Sequence, residues 1–299
     1  MAAMRYAVHH VTRFDYAEPA SFARCNLRLE PIDWPGQRLE RYDLSVEPGG
    51  RITPARAEAG LAHVMRLVIE AAAPTLTIDS RARVLVDRAV PAPEPGDPTL
   101  AEVADMARNS GDLSPAGPAA YLFPTDLLPP DPDIAAWCAA DLDPGRNALE
   151  AGIALARRIQ REFVFDSAAT MVDTPPREAF LKRCGVCQDF AQIMITGLRA
   201  AGLPAAYASG YIRTLPPPGQ PRLTGADATH AWVLLWCGPK RGWIGLDPTN
   251  GVWMAGDHIV VAIGQDYADI APIDGVMLGS GAQHMHVAVD VEPLDLPAG

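Results

Sequence analysis

The residues best suited to chemistry lie in three short segments: Arg183-Cys-Gly-Val-Cys-Gln-Asp-Phe-Ala191, Ala228-Thr-His-Ala-Trp-Val-Leu-Leu235 and Gly242-Trp-Ile-Gly-Leu-Asp-Pro-Thr-Asn250. Cys187 falls at the start of a helical pattern, after a turn that Gly185 makes possible. Unpaired N–H groups and the positive end of the helix dipole converge at such a position and favour the thiolate, the nucleophilic form of cysteine. The dipole contributes roughly 0.3–1 kcal/mol at an exposed site, whereas one pKa unit corresponds to about 1.4 kcal/mol. Unaided, it cannot bring a thiol from about 8.5 to below neutral, and an imidazolium is the usual supplement. His230 opens a β-type run and Asp247 closes another, where Pro248 turns the chain. A hairpin pairing 230–236 with 243–247 brings the two side chains together, so that Asp247 can hold one imidazole nitrogen while the other faces the thiol.

The elements that must position these groups follow from patterning. Alternating segments at Tyr6–Tyr16, Leu27–Glu30, Leu39–Val46, Val64–Ile69 and Thr75–Val86 read as strands separated by Pro/Gly turns. Proline-rich connections follow at 91–98 and 128–132, and helices dominate from about 131 to 202. Asn147 is a candidate cap with Glu150 three residues on, Thr174-Pro-Pro is a further helix start with a stop expected near Gly185, and a third helix runs from Cys187 to about Ala201. Its Phe190, Ile193, Met194 and Leu198 recur at helical spacing and are expected in the core. Strands are expected again at Ala205–Ile212, His230–Trp236, Trp243–Leu246 and His284–Val291. The fold class expected is α+β: an N-terminal antiparallel β-rich domain over 1–125, then over 126–299 a core with helices packed on an antiparallel sheet and a final C-terminal strand.

Composition narrows the function classes. The chain has 299 residues, with 25 Lys+Arg against 36 Asp+Glu and a formal net charge of −11. That balance argues against nucleic acid and against anionic membrane surfaces as partners. Hydrophobic residues at 48% and charged residues at 20% fit a globular protein with a sizeable core. Five cysteines (Cys25, Cys138, Cys184, Cys187, Cys237) are too few and too scattered for a disulfide scaffold. With no signal-peptide pattern and no membrane-spanning apolar run, they point to a cytoplasmic location.

The three segments, in this order, resemble the bacterial transglutaminase-like superfamily in its cysteine protease branch. Gly185-Val-Cys187-Gln-Asp, Thr229-His230-Ala-Trp232 and Asp247-Pro-Thr-Asn250 carry the resemblance. Arg199-Ala-Ala-Gly-Leu-Pro-Ala205 and Ser209-Gly-Tyr-Ile212 extend it. Tyr6, His10-Val-Thr12, Tyr16, Leu27-Arg-Leu29 and Pro31 carry a weaker match to the β region that precedes the core in this branch. The resemblance implies a papain-like, transglutaminase-like core with a Cys-His-Asp triad: Cys187 as nucleophile, His230 as general acid and base, Asp247 as the orienting carboxylate. The N–H of Cys187 is a natural oxyanion donor, with Gln188, Gln192 and Trp232 as candidates for the surrounding shell. Gln192 stands where many relatives carry histidine. The implied activity is thiol-dependent acyl transfer at a peptide or amide bond, with water as acceptor in a peptidase or amidase and an amine as acceptor in a transglutaminase. No cofactor is implied, and the partner is a peptide or protein substrate.

Other readings of these residues stand beside this one. Cys184 and Cys187 have the spacing of a redox pair or half a zinc site, but neither a preceding βαβ pattern nor a second ligand pair accompanies them; Cys184 reads more simply as a packed helix-end residue. His284 and His286 share a strand face without further ligands, and His9 and His10 read as structural. His258 is a candidate for the cleft wall, Asp189 for capping the nucleophile helix, and Trp232 and Trp243 for core or cleft wall. The loop Leu215–Pro221 is either a cleft rim or a surface loop. A chain that only binds peptides is the alternative from a different class.

Overall fold

The computed structural model describes residues 3–214, 228–279 and 281–294; the loop Leu215–Pro221 lies outside them. The first strand, Met4–Ala20, buries every second residue from Tyr6 to Phe14, as a half-buried pleated strand must. It is central in an antiparallel four-stranded sheet of order Gln283–Leu294, Met4–Ala20, Ala73–Val86, Gln37–Glu47. A second antiparallel sheet has the order Ile273–Leu278, Phe22–Leu27, Val64–Ile69, Arg51–Ala55. Phe14, Leu76 and Ile78 of the first sheet meet Ala23, Cys25, Leu27, Leu67 and Ile69 of the second in one core. The other end of the same face, with Tyr6, Val8, Val84 and Val86, packs into the main core of the molecule.

That main core is built on an antiparallel six-stranded sheet of order Val252–Trp253, Trp243–Asp247, Ala228–Trp236, Ala205–Ile212, His258–Gly264, Leu61–Ala62. Helices Pro132–Ala139, Ala148–Glu162, Pro176–Lys182 and Cys187–Ala200 gather on one side of it. The architecture is therefore α+β, with an N-terminal antiparallel β region. The helix Cys187–Ala200 is buried around nearly its whole circumference, including Phe190, Ile193, Met194 and Leu198, which is how a mostly apolar helix is accommodated. Asn147 caps its helix by accepting from the N–H groups of Leu149 and Glu150.

Several elements differ from expectation, among them the strand His258–Gly264. A helix, Leu100–Arg108, sits between the proline-rich connections, started by a reciprocal Thr99–Glu102 capping box. The second strand ends at Leu27, since the N–H of Arg28 turns to the carbonyl of Pro272. The helix Pro176–Lys182 ends as expected near Gly185, with Arg183 at its end in the left-handed conformation (φ 54°).

The regions before and after the 125/126 position are laced together by long-range pairing. Leu61–Ala62 is an edge strand of the six-stranded sheet, and the C-terminal strand Gln283–Leu294 pairs with Met4–Ala20 from Arg5↔Leu294 to Tyr16↔Gln283. Ile273–Leu278 likewise pairs with Phe22–Leu27. Among the described residues, no helix is long and apolar enough to cross a membrane.

Candidate functional site

The turn before Cys187 is held from both sides. Arg183 places its guanidinium against the rings of Phe180, Phe163 and Trp137, at 4.2, 4.8 and 4.9 Å from their centroids. Such cation–π contacts fix the reversal that leads into the turn. Cys184 and Gly185 then make a short parallel bridge to Val164 and Phe165. Gly185 is needed for its size: a Cβ there would lie 2.5 Å from Asp189 Oδ2. That carboxylate oxygen accepts from the N–H of Val186 and from Thr170 Oγ1, both at 2.7 Å. Asp189 thus satisfies an orphan donor at the helix start, and burial raises its pKa. Cys187, half-buried, is the first residue of the helix, where the N–H groups of Cys187 and Gln188 have no acceptor within the helix.

The hairpin of Ala228–Trp236 and Trp243–Asp247 pairs in register Val233↔Leu246. His230 Nε2 lies 2.9 Å from Asp247 Oδ2. The carboxylate is fully buried and accepts five hydrogen bonds. Oδ2 takes His230 Nε2, His258 Nε2 at 3.1 Å and Asn250 Nδ2 at 2.7 Å; Oδ1 takes the N–H groups of Thr249 and Asn250 at 2.9 and 3.1 Å. Since a carboxylate only accepts, both imidazoles donate Nε2–H. Burial pushes the Asp247 pKa up, yet the hydrogen bonds from His230 and His258 outweigh it and hold the carboxyl far below its usual range. Burial also works against a charged His230, but the hydrogen bond to Asp247 and the influence of the Cys187 thiol prevail and raise its pKa. The imidazole is thus tied to the carboxylate through Nε2, with the Cys187 thiol near enough to act on it. His258 behaves oppositely: burial lowers its pKa despite the hydrogen bond to Asp247.

Trp232 is fully buried beside this line, near-parallel to His230 (centroids 6.1 Å, 28°) and edge-on to His258 (5.3 Å, 76°). Its indole N–H points to Met254 Sδ at 3.1 Å. Gly210, opposite His230 in the sheet, makes room for it: a Cβ there would meet Trp232 Cη2 at 2.8 Å and the Ile259 carbonyl at 1.9 Å.

Of the residues singled out in the sequence, Cys187, His230, Asp247 and Trp232 come together. Gln188 turns its side chain away, donating to the Val172 carbonyl at 2.8 Å. Gln192 is buried further along the helix, its Oε1 without a partner. Cys184 is half-buried in the bridge to Val164. His286 is exposed beside Asp15, and His9 pairs with Asp79 at 2.9 Å. Two members of the site received no such role from the sequence. Asn250 closes on Asp247 through a local Asx turn, a chemistry that Asp-Pro-Thr-Asn does encode. His258 comes from a strand on the far side of Ala205–Ile212, and no local pattern announces that. Among the described residues, His230, Asp247 and His258 form the group whose spacing suits a metal ion; in this arrangement their atoms are hydrogen-bonded to one another. Val164, Phe165, Met171 and Val172 stand exposed along the segment that packs on the turn before Cys187.

Comparison with known proteins agrees with this architecture. Residues 6–85 match the bacterial transglutaminase-like N-terminal region, and residues 138–248 match the transglutaminase-like superfamily core. Uncharacterized proteins of Mycobacterium bovis and Mycobacterium tuberculosis are each 34% identical over 299 residues, covering 97% of this chain and 93% of theirs. A protein-glutamine gamma-glutamyltransferase of Pseudomonas aeruginosa is 37% identical over 103 residues, 33% of this chain and 15% of that protein. The crystal structure of a cysteine-protease candidate from Cytophaga hutchinsonii superposes with a TM-score of 0.76 at 21% identity, covering 100% of this chain and 93% of that one. The match to the superfamily core and the Pseudomonas relative support thiol-dependent catalysis in a broad sense, while the Cytophaga likeness supports the fold. The chain belongs to the transglutaminase-like superfamily and carries that superfamily's bacterial N-terminal β region.

Proposed function

We propose that the protein is a thiol-dependent acyl-transfer enzyme that hydrolyses peptide or amide bonds. Cys187 Sγ, as thiolate, attacks the carbonyl carbon, and the developing oxyanion is met by the N–H of Cys187. His230 gives its thiol-facing proton to the leaving amine as the C–N bond breaks, which leaves a thioester. The same nitrogen then takes a proton from water, whose oxygen attacks the thioester and releases the acid and the thiolate. Asp247 keeps the imidazole in the required tautomer and supports its charged form. The observation that carries this reading is His230 hydrogen-bonded to buried Asp247 at 2.9 Å, with the Cys187 thiol among the groups that raise the pKa of its imidazole. The exposed apolar side chains at Val164, Phe165, Met171 and Val172 favour a peptide substrate with apolar residues on that side of the scissile bond. Transfer to an amine is the second reading, favoured by the likeness to the Pseudomonas protein-glutamine gamma-glutamyltransferase.

Alkylation tests the nucleophile. Burial pushes Cys25 up to about 11 and Cys138 up to about 12, and it raises Cys237 further. Iodoacetamide at near-neutral pH is therefore expected to label Cys187 first, with half-buried Cys184 as the internal comparison. A peptide-library cleavage screen with Cys187→Ala as blank then reads the activity. Equal labelling of Cys184 and Cys187, or identical cleavage by wild type and blank, sinks the proposal.

A further inference from the structure

Asp247 serves two imidazoles. His230 and His258 both donate to Oδ2, and they come from strands that are not neighbours in the sheet. We infer that His258 is a fourth member of the catalytic line, a positioning residue that acts on His230 through Asp247. The inference rests on the triad reading above and adds to it a residue that the triad does not require.

Three observations carry it. First, His258 is held from behind by the N-terminal region: Arg88 Nη1 donates to the carbonyls of Ala255 and His258, both at 3.1 Å. The ring therefore approaches Asp247 from a clamped backbone. Second, Trp232 packs against both imidazoles, near-parallel to one and edge-on to the other, while the imidazole centroids are themselves 6.1 Å apart, so a fully buried indole braces both rings. Third, His258 Nδ1 is buried with no hydrogen-bond partner. A phenyl ring in the same place would avoid that cost, and a buried polar atom left unpaired calls for a functional explanation. The explanation is the other nitrogen, which must be Nε2–H to donate to a carboxylate.

The chemical consequence follows from charge. Each donor on Oδ2 draws off part of the carboxylate's negative charge. With His258 in place, Asp247 orients His230 but holds its proton less tightly, so the imidazolium remains able to protonate a leaving amine. Without that donor, Asp247 becomes a stronger partner and His230 keeps its proton to higher pH. The groups facing His258 are few. They are Asp247 and His230 in the site, Trp232 beside them, and Arg88 behind; the neighbouring Asp257 points to Tyr6 Oη at 3.1 Å and lies near Arg213.

The test is the pH profile of Cys187 alkylation by iodoacetate, which needs no knowledge of the substrate. The reagent is an anion, so its rate should fall as His230 loses its positive charge, and that falling limb reports the imidazolium. In His258→Phe the limb is expected to move up by roughly half to one pH unit, while His258→Gln, which restores an N–H donor, stays near wild type. An unmoved limb in a natively folded His258→Phe overturns the inference. If that variant does not fold, 15N-histidine-labelled wild-type protein decides: a neutral His258 ring with a protected Nε2–H supports it, and a charged ring or an Nδ1–H tautomer overturns it. A wild-type profile with no falling limb would instead sink the thiol–imidazole pair itself, and this inference with it.

Discussion

On the outer surface of the N-terminal sheet, Arg5 meets Glu40, Arg13 meets Asp15, Arg41 meets Asp43 and Arg81 meets Asp79, all at 2.6–3.0 Å. Inside the core, Asp247 meets His230 at 2.9 Å. The distances are alike and the consequences are not. Water competes for every exposed pair, and long side chains lose freedom to form it, so such pairs contribute little to stability. Asp247 is fully buried, its carboxylate accepts hydrogen bonds from five protein donors, and its ionisation state acts on the imidazole beside it. The comparison teaches that solvent access, not contact geometry, separates a decorative ion pair from one that can tune chemistry.

Asp247→Asn breaks the comparison most severely. It turns a buried carboxylate into an amide that faces two imidazole N–H groups, so the His230 tautomer and charge are lost. Turnover should fall about 10³–10⁴-fold, read by initial rates on any substrate found in the cleavage screen, with fold integrity checked by circular dichroism.

Next comes acid stability. His10 is buried between Tyr211 Oη and Thr12 Oγ1, at 3.0 Å from each, and burial pushes its pKa down to about 4. The unfolded chain takes this proton near pH 6.5. Between those values the unfolded state binds more protons, so the stabilisation is fully present above pH 6.5 and is lost as pH falls towards 4. The loss amounts to about 3 kcal/mol by linkage. Urea midpoints measured from pH 7 to 4 should show it, and His10→Gln should flatten the slope.

Arg88→Met is a smaller perturbation. Arg88 is largely buried, and burial lowers its pKa to about 10. Removing its two bonds to the carbonyls of Ala255 and His258 should cost about 2 kcal/mol, seen as a lower urea midpoint, although the change lies in the N-terminal region. Smallest is Arg41→Ala: the urea midpoint should not move measurably, because its partner Asp43 is left in water. A large shift there would mean that the outer face contributes more to stability than the comparison allows.

The parts of the site that can be read from sequence are those built by neighbours. A glycine and a valine before a cysteine that begins an apolar helix, and an aspartate followed by proline at a strand end, act through turn chemistry and side-chain periodicity within a few residues. The hairpin of Ala228–Trp236 and Trp243–Asp247 belongs to the same kind, since its two strands are adjacent in the chain. The strand His258–Gly264 was not anticipated, because its apolar run is surrounded by core on both faces and shows no alternation. The helix Leu100–Arg108 was masked by the prolines on either side of it, although its capping box is encoded locally.

What the sequence determined by itself, then, was the family's three segments, the α+β class and the chemical types available. That His258 joins His230 on Asp247 was decided only by the tertiary structure. Arg88 reaches His258 across 170 positions, and Tyr6 reaches Asp257 across 251. Contacts of that span depend on how whole sheets close on one another: the C-terminal strand returns to the first strand, and Leu61–Ala62 borders the six-stranded sheet. No local propensity carries that information, because the free energy that selects those partners comes from burying apolar faces that exist only once both sheets have formed.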